Sequence, residues 1–362
     1  MSSQLAEDVR EEEFEEDVAD EAEGEEEDAP TSDAGAADGD QDEKEEDAEE
    51  EEEEEEEEEA EEVVATRDDV AGTLDLLGRT ADALEFAFIR CRLLDRAVTD
   101  VAVLAEFKHL QILELNGNDL TTLQPLASLK YLTSVTVRNN RLKQLQLGEM
   151  KYLQRLDISG NHIKNLDELN TPSLRYLDAS TNSIRALGFA TQLPALEHLN
   201  ISENKLRALD TLDHPRLAEL ELSGNEVGSL QFLGDLPALT TLSAMGSHLE
   251  SIELDTTLPN LTTLHLDDNN FADLNILKEL SVLSSLAHLS MSGNSCAEEG
   301  DYRVEALVAI QGLKTLDGEG YDSEDRDEAR NPSFEYAIVL SCDLFMRMNS
   351  SHMNLAPPGQ FL

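Results

Sequence analysis

Histidine and cysteine side chains are the residues of this chain that could bind a metal or carry catalysis. Three histidines stand far apart without an accompanying carboxylate cluster, at His198, His265 and His288. A catalytic zinc ion needs three protein ligands close together. The cysteines are also distant from one another and lack metal-ligand spacing, at Cys91, Cys296 and Cys342. The sequence holds no glycine-rich phosphate loop, H-E-x-x-H, C-x-x-C or G-x-S-x-G motif. We therefore expect a non-enzymatic protein without a metal or a cofactor.

A repeated unit must position whatever polar surface the protein uses. The unit reads L-x-x-L-x-L-x-x-N-x-L and is first seen at residues 110–120. Side chains alternate along a strand, so Leu113 and Leu115 face one side. Asn118 follows where the chain turns, and its amide can bond the backbone there. The same position recurs in steps of 21 to 25 residues, at Asn118, Asn140, Asn161, Asn182, Asn204, Asn225, Ser247, Asn269 and Asn294.

Nine aligned units of this kind identify a leucine-rich repeat. We predict an α/β solenoid, that is, a leucine-rich repeat horseshoe with a parallel concave sheet and caps at both ends. Leucines at every third residue from Leu120 to Leu132 favour 3₁₀ segments on the convex side. Residues 274–280 predict a longer convex helix. Residues 68–78 predict a short helix that covers the first repeat, followed by a degenerate tenth unit around Arg96.

Charge divides the chain into two regimes. The whole chain has 79 acidic and 26 basic residues and a net charge of −53. Residues 1–62 hold 36 acids and 2 bases, so this segment carries 2 − 36 = −34. Glu49 to Glu59 are all glutamates, which predicts a disordered tail. That tail could serve as a solvated brush or as a docking segment for a basic partner.

The predicted organisation has five parts. They are a disordered acidic tail (1–62), an N-terminal cap with the degenerate repeat (63–109), the repeats (110–294), a C-terminal cap (295–320), and a charged linker with an apolar tail (321–362). The apolar tail either packs on the solenoid or docks a partner. No apolar run reaches the roughly 18 residues of a membrane helix, and no secretory signal is evident. Cysteines without pairing suit a reducing, cytoplasmic compartment.

The concave wall is the usual binding face of a solenoid. Its charged and aromatic positions place arginines toward the first units and acids in the middle. A polarised wall of this kind can orient a protein partner by complementary charge. The candidate protein-binding residues are Arg90, Arg92, Arg138, Arg155, Asp157, Tyr176, Asp178, His198, Glu219, Glu221, His265 and Asp267. We expect neither nucleic acid nor membrane as a partner.

Two stretches of the chain resemble one family of short-repeat proteins. The exit runs Asn294-Ser295-Cys296, then Tyr302-Arg303, Glu305-Ala306-Leu307-Val308 and Leu316-Asp317, and the entry contains Val98-Thr99-Asp100-Val101. Together with the acidic N-terminus, these features resemble the family of leucine-rich repeat-containing protein twenty-three, a ciliary radial-spoke protein. The resemblance spans about residues 68–330. It implies a monomeric scaffold within a larger axonemal assembly, whose partners are other radial-spoke components. The apolar stretch from Phe334 departs from that family's more charged tail.

Two other functions remain open on the sequence. A phosphatase-regulating repeat protein would share the repeat period and the cap, although its concave wall is expected to be richer in aromatic residues. An acidic nuclear chaperone would share the acidic run, which in that class follows the repeats, whereas here it precedes them.

Overall fold

The computed structural model describes residues 62–81, 84–207, 209–252, 254 and 258–330. Within them, 13 strands form one sheet in chain order. Strands β2 to β12 pair in parallel, and an antiparallel strand closes each end. The predicted fold class is therefore confirmed. The strands are β1 Leu74–Arg79, β2 Phe86–Arg92, β3 Ile112–Glu114, β4 Ser134–Thr136, β5 Arg155–Asp157, β6 Tyr176–Asp178, β7 His198–Asn200, β8 Glu219–Glu221, β9 Thr241–Ser243, β10 Thr263–His265, β11 His288–Ser290, β12 Thr315–Leu316 and β13 Glu319–Gly320.

Short helical segments connect the strands. The α-helices are α1 Arg67–Ala71, α2 Ile276–Leu280, α3 Tyr302–Ala309 and α4 Ser323–Ala329, and the 3₁₀ segments are Ala102–Glu106, Gln124–Ser128, Gly188–Gln192 and Ser295–Glu298. The 3₁₀ segment Gln124–Ser128 and the convex helix α2 agree with the sequence prediction. In the part of the chain that the structure describes, no helix has the length and apolarity needed to cross a membrane. The predictions for the acidic tail and for the apolar segment after Asn331 fall outside the described residues.

One continuous core runs through the stacked repeats. The paired apolar positions of each strand point into it, and Leu113, Leu115, Leu156 and Ile158 are fully buried. A single repeat has no second layer to bury these side chains, so burial depends on its neighbours. This dependence explains why the core extends along the chain instead of forming a separate centre in each unit.

The recurring asparagine joins each repeat to the one before it. Asn204 shows the pattern: its amide donates to the carbonyl of Ala179 at 3.0 Å and to that of Ile201 at 3.1 Å. Its Oδ1 accepts from the backbone N–H of Ile184 at 2.9 Å. Buried backbone groups that the turn leaves without a strand partner are thus satisfied by one side chain. Ser247, at the same position, donates only its hydroxyl, to Leu222 at 3.3 Å and to Met245 at 3.4 Å.

The residue before each of these nine positions has a left-handed backbone. The φ values are positive at Gly117, Asn139, Gly160, Thr181, Glu203, Gly224, Gly246, Asp268 and Gly293. Glycine adopts this conformation without steric cost, whereas other residues pay for it. Five of the nine positions are glycine. The left-handed backbone thus limits which residue types fit here, and the hydrogen bonds limit which residue types fit at the asparagine position that follows.

The N-terminal cap differs from its prediction. Helix α1 ends at Ala71, and residues that we assigned to the helix form β1 instead. Thr66 and Asp69 form a reciprocal capping box, which fixes where the helix begins. The segment then pairs antiparallel with β2, whose edge would otherwise be open. Gly78 permits this close approach, because a Cβ atom there would lie 2.4 Å from Cδ1 of Ile89.

The C-terminal cap rests on α3 and α4. The Tyr321 hydroxyl donates to the carbonyl of Arg303 at 3.0 Å, and the Arg303 guanidinium lies 4.4 Å from the Tyr321 ring centroid. Arg303 also binds Asp325 at 3.1 Å. These contacts cover the last repeat with a polar surface, as terminal units of a solenoid require.

The asparagine column should be structural. Asn204→Ala removes bonds to buried backbone groups, and we expect it to cost on the order of 1–3 kcal/mol of unfolding free energy. Leu199→Asp, at a position that is 1% exposed, should cost more because it buries an unpaired charge. Chemical denaturation measures both, with the exposed Asn170→Ala as control. An unchanged midpoint for Asn204→Ala would contradict this role.

The left-handed turn should resist a side chain at Gly160. Its φ is +66°, and a Cβ atom would lie 2.2 Å from Oδ1 of Asn139. We expect Gly160→Ala to destabilise the protein by roughly 1–2 kcal/mol. Gly188→Ala is the matched control, since no heavy atom lies within 4 Å of its Cβ position. Equal thermal stability of the two variants would show that the turn is not constrained.

Candidate functional site

Strand register places the concave side chains in two rows. The first row crosses strands β2 to β11 through Arg90, Ile112, Ser134, Arg155, Tyr176, His198, Glu219, Thr241, Thr263 and His288. The second row runs beside it through Arg92, Glu114, Thr136, Asp157, Asp178, Asn200, Glu221, Ser243, His265 and Ser290. Arg138 and Asp267 lie just beyond the ends of their strands. The candidate residues thus share one face, although their surroundings differ.

The first two arginines share one carboxylate of the cap strand. Arg90 Nε lies 2.6 Å from one carboxylate oxygen of Asp75, and Arg92 Nη2 lies 2.7 Å from the other. The hydrogen bond to Arg90 is the main reason why the pKa of Asp75 is lowered. The helix predicted over residues 68–78 includes Asp75 and does not bring it beside the arginines, whereas the structure places it on β1. A strand assignment for residues 74–79 would have placed it beside the arginines.

Three of the predicted acids hold the ends of their own strands. Asp157 is fully buried, accepts from Arg138 Nε at 2.7 Å and accepts from the Ser159 hydroxyl at 2.9 Å. Asp178 accepts from the Ser180 hydroxyl at 2.7 Å. The buried Asp267 accepts from the hydroxyl of Ser290 and, at 2.9 Å, from the backbone N–H of Ser292. These carboxylates stabilise the wall from beneath, because local donors bind both oxygens of Asp157 and one oxygen each of Asp178 and Asp267.

The middle of the first row is a continuous chain of side-chain contacts. The Arg155 guanidinium carbon lies 3.6 Å from the centroid of the Tyr176 ring. The Tyr176 and His198 ring centroids are 6.0 Å apart, and His198 Nδ1 lies 2.8 Å from Glu219 Oε2. Arg155 and Glu219 are exposed, whereas the two rings are half-buried. An aromatic ring under an exposed guanidinium is a typical anchor of protein interfaces.

The surroundings of Glu221 in the wall disfavour its ionisation. Its side chain reaches the surface, yet the surrounding wall displaces part of its hydration. That burial, followed by repulsion from Asp178 and Glu219, raises its pKa, while His265 opposes the shift. The ionised form is therefore less favourable here than in water, and a positive charge from outside would relieve it.

The histidines and cysteines of the described residues do not converge. His198 binds Glu219. His288 Nδ1 lies 2.8 Å from the hydroxyl of Thr315, the first residue of β12. Among the described residues, no three histidine, cysteine or acidic side chains come together in a way that could hold a metal ion. Cys91 and Cys296 are buried free thiols, and burial raises the pKa of both.

An apolar cluster on the N-terminal hairpin was not predicted. Leu77, Phe86 and Phe88 are 64%, 66% and 52% exposed. Arg79 covers part of it, with its guanidinium carbon 5.7 Å from the Phe86 ring centroid. Because the hairpin itself was not expected, the sequence gave no reason to place these side chains together.

The charge of Glu221 should reduce stability at neutral pH. A folded-state pKa above the unfolded value means that stability falls as pH rises between the two values. We therefore expect Glu221→Gln to raise the melting temperature at pH 7, with the difference vanishing as pH falls toward 4. Thermal melts across this pH range test it, with the exposed Glu168→Gln as the matched loss of charge. A difference that persists at low pH would contradict this account.

Models of leucine-rich repeat families match part of this chain. Two family models match, one described as "Leucine-rich repeat" over residues 211–335 and one as "Leucine Rich repeats (2 copies)" over residues 172–214. A leucine-rich repeat protein of Leptospira interrogans is similar in structure, with a TM-score of 0.42, 23% identity, and coverage of 64% of this chain and 72% of that one.

Two curated relatives extend across most of both chains. "Leucine-rich repeat-containing protein 23" of Bos taurus is 32% identical over 267 residues, which are 73% of this chain and 78% of the relative. The human protein of the same name is 31% identical over 272 residues, with the same two coverages. The chain therefore belongs to the leucine-rich repeat-containing protein 23 family.

Proposed function

We propose that this protein is a non-enzymatic scaffold of motile cilia or flagella, built into the radial spokes, where its concave face docks other spoke proteins. Leucine-rich repeats generally mediate protein–protein interaction, and the repeat family is typically a non-enzymatic scaffold. The ciliary role follows from the resemblance of the entry and exit units to the radial-spoke family. The relatives named "Leucine-rich repeat-containing protein 23" support that resemblance.

The contact chain from Arg155 to Glu219 is the observation that carries the docking role. It spans four adjacent strands, combines an exposed cation with two rings, and lies on the face that solenoids use for binding. Tyrosine and arginine are the residues in which interface energy is concentrated. Loss of Tyr176 should therefore weaken docking by about 2 kcal/mol, which is roughly 30-fold in affinity.

Charge favours a position away from the microtubule wall. A chain with a net charge of −53 is repelled by an acidic tubulin lattice. Protein contacts to the solenoid within a spoke avoid this repulsion.

Deletion of the gene in cells with motile cilia tests the proposal. We expect impaired beating, with spokes that are missing or incomplete in cryo-tomography, and little effect on general growth. The wild-type chain should restore both properties, whereas a chain with Arg155→Glu and Tyr176→Ala should not. Restored beating by this variant would contradict the role of the concave face.

Tyr152→Ala is the matched control, since Tyr152 is exposed outside the concave strands. It should restore spokes and beating as the wild type does. Intact spokes and normal swimming after deletion, or a tagged protein found only in the nucleus, would overturn the ciliary assignment and favour a chaperone.

A further inference from the structure

Few of the concave charges remain available to a partner. Arg90 and Arg92 share Asp75, and Arg138 binds the buried Asp157. Arg155 differs, because its guanidinium stacks on Tyr176 and forms no ion pair with any residue that the structure describes. Stacking uses the plane of the guanidinium and leaves its N–H groups at the edge, where they can donate to a carboxylate.

A negative region lies on the same wall at β8. Glu219 and Glu221 are both exposed there, and Asp178 lies close enough to repel the charge of Glu221. His198 binds one oxygen of Glu219. A lysine or arginine side chain entering between the two glutamates would reduce their mutual repulsion, so this region selects a positive charge.

The distance between these two regions limits the shape of the ligand. Arg155 and Glu219 occupy the same row on β5 and β8, three strand spacings apart. At 4.7–4.9 Å per spacing, their backbones are about 14 Å apart. An extended chain covers that distance in about four residues, and its residues i and i+4 face the same side. An α-helix needs nine or ten residues for it, which brings the second side chain to a different face.

We propose that the concave face binds an extended segment of a partner protein in which an acidic and a basic side chain lie four residues apart. The acidic side chain binds Arg155, and the basic one lies between Glu219 and Glu221. The residue midway between them faces the ring pair of Tyr176 and His198. The inference rests on the docking role proposed above and specifies the chemistry of the docked segment.

Synthetic peptides test the spacing directly. Two short fluorescein-labelled peptides of identical composition carry one Asp and one Lys on a background of serine, threonine and valine. The two charges are four residues apart in one peptide and three residues apart in the other. Fluorescence anisotropy with the full chain should show that the peptide with the four-residue spacing binds about tenfold more tightly or better. The other peptide cannot make both contacts at once, and the loss of one hydrogen bond to a charged group weakens binding by about that factor.

Charge-reversal variants identify the two binding regions. Arg155→Glu and Glu221→Lys should each remove the preference for the four-residue peptide. Combining Arg155→Glu with both Glu219→Lys and Glu221→Lys should recover it, since the two charged regions are then exchanged and an extended peptide can cross the wall in the opposite direction. Lys151→Glu is the matched control, because Lys151 lies in the same repeat but outside the concave strands. Circular dichroism melts establish that each variant remains folded.

Equal binding of both peptides, or no binding at the highest soluble peptide concentration, would overturn the proposal. A combined variant that stays as weak as the single variants would also overturn it. These outcomes are independent of the cellular test. A normal knockout with selective peptide binding would leave the recognition rule standing and remove only the ciliary role.

Discussion

Eight of the nine aligned repeats depend on one asparagine amide that joins their backbone to the previous repeat, and Ser247 takes this position in the remaining one. The asparagine satisfies backbone donors and acceptors that follow the strands and have no partner within the sheet. Because its partners belong to two consecutive units, the bond fixes how one unit is placed on the next. The leucines can then stack in a continuous column, and the strands come into register as a consequence. The repeat length, the continuous core and the register of the sheet therefore all depend on the same contact between repeats.

Register has a direct consequence for the concave face. Side chains at equivalent positions of neighbouring repeats are brought to about one strand spacing from each other. Opposite charges on neighbouring repeats that come within reach of each other neutralise one another, as Arg138 and the diagonally placed Asp157 do. The net charge of the concave wall therefore does not show which charged side chains a partner can contact. The charges that remain for a partner after internal pairing are fewer and more specific, and they include an arginine stacked on a ring and a pair of glutamates three strands away.

The two ends of the solenoid obey different rules from its middle. An end repeat has a neighbour on one side only, so its open edge must be covered. At the first repeat, an antiparallel strand supplies the cover and adds a carboxylate to the binding face. At the last repeat, a short antiparallel strand and two helices do so, held by Arg303. Caps thus change the chemistry of the face next to them as well as protecting the core.

The sequence by itself determined the repeat, its period, the inward leucines and the face on which Arg155, Tyr176, His198 and Glu219 lie, because these depend on local alternation and on spacing along the chain. It also predicted the convex helix near Ile276. Only the tertiary structure decided that residues 74–79 form a strand, since the edge of β2 stabilises that conformation and local propensity does not. The same holds for the pairing of Asp75 with two arginines and the burial of Asp157 beneath Arg138. Contacts of that kind join residues from different repeats, and the distance between them is set by how the repeats stack.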